Sequence, residues 1–147
     1  MAEIEWFDDL RVGMKFKTAS WQLAASDIKR FAWEYDPQPM HLDEDAAAKT
    51  IFRGLAASGW HTASIAMNLV VQSRPFGRHP IIGMGVDGLR WTAPVRPGDV
   101  LDLEGEIVSL IPSTTKPHGS VVTNWAMNNQ NGELVYTFSP ITIVPRR

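Results

Sequence analysis

Residues 59–72 constrain this chain more than any other segment, because they read as a helix apolar or small around most of its circumference: Trp60, Ala63, Ile65, Ala66, Met67, Leu69, Val70 and Val71. Such a helix has to be buried by something that wraps it. The second half of the chain supplies the wrapper, since 81–91, 100–111, 120–129 and 133–144 read as strands separated by turn signals at Arg96-Pro97-Gly98-Asp99, 112–119 and Asn131-Gly132. Links this short join strands most simply in antiparallel order. Ahead of the helix, 15–22 reads as a first strand. Ser26-Asp27 opens a helix that Pro37 stops near Tyr35, and Asp43 caps a short helix over 44–49.

One buried helix enclosed by an antiparallel sheet is the hot-dog arrangement, an α+β fold, expected here as a single domain over 1–147. Length agrees, since 147 residues with 44% hydrophobic content suit one core rather than two. No period repeats along the chain. With 14 basic and 16 acidic residues the formal charge is −2, which gives no broad footprint for nucleic acid or an anionic membrane. The absence of cysteine excludes disulfides, thiol nucleophiles and thiolate metal sites, and suits a reducing cytoplasm. Residues 1–6 lack the regions of a signal peptide, and His61, Thr62, Ser64 and Asn68 interrupt the longest apolar run, so no membrane span is expected.

The chemistry-bearing segment is Asp36-Pro37-Gln38-Pro39-Met40-His41. Each proline fixes its own φ and biases the residue before it toward extended geometry, so the two ends are held in a defined relation. A carboxylate and an imidazole held in that way can share one water, taking one proton and delivering another near neutral pH. Adding water to an activated double bond, or removing it, has that requirement. Read alone, a proline-bent loop with a turn aspartate and a surface histidine is the simpler account. The acidic run 43–45 beside His41 lacks the glycine turn of a calcium loop and a second histidine at helical spacing, so no metal site is expected. Gly83-Met84-Gly85-Val86-Asp87-Gly88 matches a dinucleotide fingerprint letter for letter. A helix should follow that motif, whereas 89–94 reads as a strand ending in proline.

Phe31, Asp36, Pro39, His41, Ala46 to Ala48, Gly59 and Thr62 follow one another in an order that resembles the MaoC-like family of acyl dehydratases, which includes the (R)-specific enoyl-CoA hydratases. Gly88-Leu89-Arg90-Trp91 and 94–99 resemble that family's third section, and 129–133 its last hairpin. The resemblance implies the same fold and a dimer, or a higher homo-oligomer, whose sheets join edge to edge. It also implies reversible hydration of a trans-2-enoyl-CoA to an (R)-type 3-hydroxyacyl-CoA, with no cofactor beyond the coenzyme A of the substrate. Asp36 and His41 would be the acid/base pair, and a backbone amide at Gly59 would receive the developing oxyanion. Thr62 would either order the site or bond its own helix. His61 matches no functional position and is expected to be a satisfied structural histidine. Trp33, Phe52, Trp60 and Met67 are candidates for an acyl pocket, and Arg74, Arg78 and Arg90 for coenzyme A phosphates. Tyr35, Ser58 and Trp60-His61 depart from the family pattern, which has glycine before the aspartate, frequently histidine before Gly59, and smaller or aliphatic residues after it. The competing readings are a hot-dog thioesterase and a non-catalytic acyl-CoA-binding subunit.

Overall fold

The computed structural model describes residues 3–147. After a short 3-10 turn at Phe7–Asp9 come β1 (Lys15–Lys17), β2 (Trp21–Gln22), α1 (Ala25–Tyr35), α2 (Pro39–Leu42), α3 (Glu44–Ala48) and α4 (Gly59–Ser73). The sheet-forming half follows as β3 (Ile82–Trp91), β4 (Val100–Pro112), β5 (His118–Asn128) and β6 (Leu134–Pro145). Neighbours lie in the order β1-β4-β5-β6-β3, with β2 also paired to β4, and every pairing is antiparallel. The glycine-rich run 83–88 lies inside β3, so the letter match to a nucleotide-binding turn has no turn behind it.

The expected first strand divides in two. Between its halves Thr18 receives the Leu103 N–H on its side-chain oxygen at 2.9 Å and donates its own N–H to Leu103 O at 3.0 Å, so a hydroxyl replaces one ladder group. The Pro37–His41 spacer also contains more structure than a bent loop. Pro39 takes the first position of α2, where its missing N–H costs nothing, and Gln38 before it is extended. Asp43 caps α3 by accepting the Ala46 N–H at 2.9 Å, as its position before the alanines implied.

Helix α4 packs on the sheet through Ile65, Ala66, Leu69 and Val70, which meet Leu101 and Leu103 of β4, Trp125 and Met127 of β5, and Tyr136 and Phe138 of β6 in one core. Each fully buried aliphatic side chain of this kind stabilises by about 1.5–3 kcal/mol. The alternation on β4 and β5 comes from the period of two in a strand: Leu101, Leu103 and Ile107 point inward, as do Val121, Thr123, Trp125 and Met127. Within one chain the sheet covers one face of α4 and leaves Trp60, Met67 and Val71 exposed, so the full wrapping expected from the apolar circumference is not achieved. A second cluster, Phe7, Leu10, Phe76, Ile107, Val121 and Val144, closes the other end of the sheet. Among the described residues no helix is long and apolar enough to cross a membrane.

His61 is buried on α4 and stacks on Phe31 of α1, ring centroids 4.6 Å apart and planes 5° from parallel. The satisfied histidine expected from the sequence is corrected here: its Nδ1 is buried without a partner among the described residues. Burial lowers its pKa from the ordinary 6.5; nearby Asp27 opposes the shift and Arg30 adds to it. Folding therefore favours the neutral ring, and its contribution to stability is present above pH 6.5 and lost as pH falls through the lowered value. His61→Phe should flatten that acid-side loss in urea denaturation at stepped pH, while leaving the slope above neutrality unchanged.

Gly105 on β4 gives its side-chain space to Trp125 of β5, since a Cβ there would fall 2.6 Å from the indole. Gly105→Ala should cost about 1–3 kcal/mol by overpacking, read as a lowered denaturation midpoint with an unchanged m-value.

Candidate active site

Asp36 is the residue on which α1 ends, its N–H donating to Ala32 O at 2.8 Å, so its carboxylate projects beyond the last turn. A short way along the chain α2 presents His41, which is almost fully buried. The His41 Nδ1 lies 2.6 Å from Ala56 O. A carbonyl only accepts, so Nδ1 carries the proton and Nε2 of the neutral ring offers a lone pair. That Nε2 is 3.3 Å from Asp36 Oδ2. The two groups therefore address the same space: a protonated ring donates to the carboxylate, and a neutral ring leaves both as acceptors for the O–H groups of a water.

The carboxylate is held at both oxygens. Gln38 Nε2 donates to Oδ1 at 2.6 Å and Ser58 Oγ donates to Oδ2 at 2.7 Å. Burial raises the Asp36 pKa, but the bonds from Ser58 and Gln38 outweigh it, with a smaller lowering from His41 when its ring is protonated, and bring the group below the ordinary carboxylate value. Asp36 is therefore an anion at neutral pH.

Facing the pair is the start of α4. Of its first four amides, those of Trp60, His61 and Thr62 donate to Ser58, which leaves the Gly59 N–H, and the dipole adds attraction for negative charge there. Trp91, from the end of β3, lies against Gly59 and donates its indole N–H to Gly59 O at 2.8 Å. A Cβ on residue 59 would sit 2.5 Å from that ring, so only glycine fits. Together these groups enclose a cavity of about 400 Å³ lined by Asp36, His41, Phe52, Gly59, Trp60, Thr62 and Trp91, with 92–95 along one side. Trp60 meets Trp91 edge to face at 5.0 Å. Arg96 fixes the wall behind His41: its guanidinium donates to Gly54 O at 2.9 Å, to Leu55 O at 3.2 Å and to Phe52 O.

Six of the residues singled out in the sequence thus line one cavity: Asp36, His41, Phe52, Gly59, Trp60 and Thr62. Thr62 does so while its hydroxyl donates to Ser58 O at 3.4 Å, within its own helix. The others lie elsewhere. Trp33 follows the buried Ala32 on α1, which turns it about 100° from the core stripe, and it is 74% exposed. Met67, farther along α4, borders a separate small apolar cavity with Trp125 and Phe138. Arg74 caps the C-terminal end of α4, a helix about 22 Å long at 1.5 Å per residue, away from Gly59. Arg78 sits over the Trp6 ring at 5.0 Å, and Arg90 donates to Leu89 O at 3.2 Å on exposed β3. Gln38, Trp91 and Arg96 carried no role in the sequence reading, and Ser58 entered it as a departure from the family pattern before Gly59. Trp91 and Arg96 stood inside the segments quoted for the resemblance, which was the available signal.

A model of the MaoC like domain matches residues 9–129. A crystal structure of a MaoC-like dehydratase from Rhodospirillum rubrum superposes with a TM-score of 0.92 at 43% identity, covering 97% of each chain. YdeM of Bacillus subtilis is 37% identical over 105 residues, 71% of this chain and 74% of that protein. An (R)-specific enoyl-CoA hydratase of Rhodospirillum rubrum is 30% identical over 110 residues, 74% of either chain. With that match spanning the site and the fold built around it, the chain belongs to the MaoC-like dehydratase family.

Proposed function

We infer that this protein is a hydro-lyase that reversibly hydrates a trans-2-enoyl-CoA to a 3-hydroxyacyl-CoA of (R) type. The observation that carries this reading is the 3.3 Å approach of His41 Nε2 to Asp36 Oδ2, with Nδ1 already committed to Ala56 O, beside the amide-rich start of α4. The similarity to an (R)-specific enoyl-CoA hydratase supports the same substrate class. In the hydration direction, the shared water gives its oxygen to the β carbon. One of its protons passes to the Asp36/His41 pair and returns to the α carbon, and the other stays on the new hydroxyl. As the carbon–oxygen bond forms, electrons move to the thioester oxygen, which the Gly59 amide and the helix dipole stabilise. The imidazolium formed on the way is stabilised by the Asp36 carboxylate beside it. Phe52 and Trp60 supply apolar walls for the acyl chain.

The proposal extends to assembly. Strand β3 is an edge whose outer side has no strand partner among the described residues, and it exposes Ile82, Met84 and Val86. A long apolar edge invites strand pairing. Pairing with β3 of a second copy satisfies it and joins two sheets, with residues 1–147 as one hot-dog domain in each protomer of a homodimer.

Enoyl absorbance should disappear when the protein meets a trans-2-enoyl-CoA series, without release of free thiol. Thiol release instead would identify a thioesterase. Asp36→Asn and His41→Ala should each lower kcat by at least about 100-fold in protein that still folds, the scale of general acid–base catalysis; full activity in both overturns the assignment. Sedimentation should give a particle near twice the 16.4 kDa chain mass, and Met84→Lys with Val86→Lys should return it to monomer.

A further inference from the structure

Ser58 stands where α4 meets Asp36, and it is fully enclosed. Its hydroxyl proton goes to Asp36 Oδ2 at 2.7 Å, and the same oxygen accepts the Trp60 N–H at 3.3 Å. Its carbonyl accepts the N–H groups of His61 at 3.0 Å and Thr62 at 3.1 Å. A hydroxyl has one proton to give and carboxylates only accept, so the direction of this chain of bonds is set: helix amide to hydroxyl to carboxylate. A serine serving only as a helix cap uses a lone pair for the amide and leaves its proton to any acceptor nearby. Here the proton is committed to the group beside His41.

We propose that Ser58 is a positioning residue for hydration, orienting the Asp36 carboxylate toward the water shared with His41 and locking that carboxylate to the amide end of α4. The proposal rests on the reading of Asp36 and His41 as the acid/base pair. Its physical content is a distance requirement. The base lies at the end of α1 and the oxyanion donor at the start of α4, on elements separated along the chain, while the β carbon and the thioester oxygen belong to one rigid conjugated unit. A misplacement of about 1 Å between such groups costs on the order of 100-fold in rate. One buried hydroxyl bridges the two elements directly, through a bond strengthened by the negative charge on its acceptor. Gln38 holds the other carboxylate oxygen from the exposed side, so rotation about the last side-chain bond of Asp36 would break both contacts.

Ser58→Gly tests this, because glycine at a helix N-cap costs only a few tenths of a kcal/mol yet removes the hydroxyl. Against a trans-2-enoyl-CoA, the folded variant should lose about 10- to 100-fold in kcat while KM stays within about threefold, the pattern of an interaction felt in the transition state. The acid limb of its kcat/KM profile should move to higher pH, since Asp36 has lost a donor to its ionised form. Ser58→Gly in an Asp36→Asn background should cost little more, because the two residues act as one unit. If Ser58→Gly does not fold, Ser58→Cys keeps the size with a weaker donor and should move the acid limb the same way. Wild-type kcat with an unmoved acid limb, or an equal loss with and without the Asp36 carboxylate, overturns the proposal and leaves Ser58 a helix cap. A wild-type protein without hydratase turnover overturns the underlying reading; an active wild type indifferent to Ser58→Gly overturns this inference alone.

Discussion

The seating of α4 on the sheet is the contact from which the rest of the arrangement follows. Ile65, Ala66, Leu69 and Val70 lock the helix against β4, β5 and β6, and that fixes where its first turn lies. Once the first turn is fixed, Ser58 and Gly59 have fixed positions, and the surrounding segments are tied to them or to one another: Asp36 by the Ser58 hydroxyl, Trp91 by the Gly59 carbonyl. His41 is tied through Ala56 O, in a loop whose neighbours Gly54 and Leu55 are held by Arg96. The polar site is thus assembled by hydrogen bonds, but the framework that gives those bonds their geometry is apolar packing.

This division of labour explains the chemical economy of the cavity. Both members of the acid/base pair have further partners that set their direction: Ala56 O sets the tautomer of His41, and Gln38 and Ser58 set the charge and orientation of Asp36. A site so constrained pays little reorganisation when charge develops, which is the basis of electrostatic preorganisation.

Much of the fold was legible in the sequence because its signals are local. The strands β3 to β6 and the helix α4 announced themselves by period and by turn residues, and the observed bounds of α4, Gly59–Ser73, end one residue beyond the expected range. The acid/base pair was legible because the prolines confine it to a short segment. What stayed hidden depends on contacts between distant segments. Ser58 reads as a departure from the family pattern with no stated partner until α1 brings Asp36 to it, and nothing in the local pattern of Arg96 announces that it binds carbonyls of 52–55. Trp33, Arg74, Arg78 and Arg90 were the reverse case: residue type suggested ligand contact, while position along a helix or strand directed them elsewhere.

Trp91 belongs to two places at once. Its indole is a wall of the cavity and grips the carbonyl of Gly59, yet its backbone is the last residue of β3, the strand with the open outer edge. The open edge of the sheet and the wall of the cavity therefore meet in a single residue, and a substitution at Trp91 bears on both.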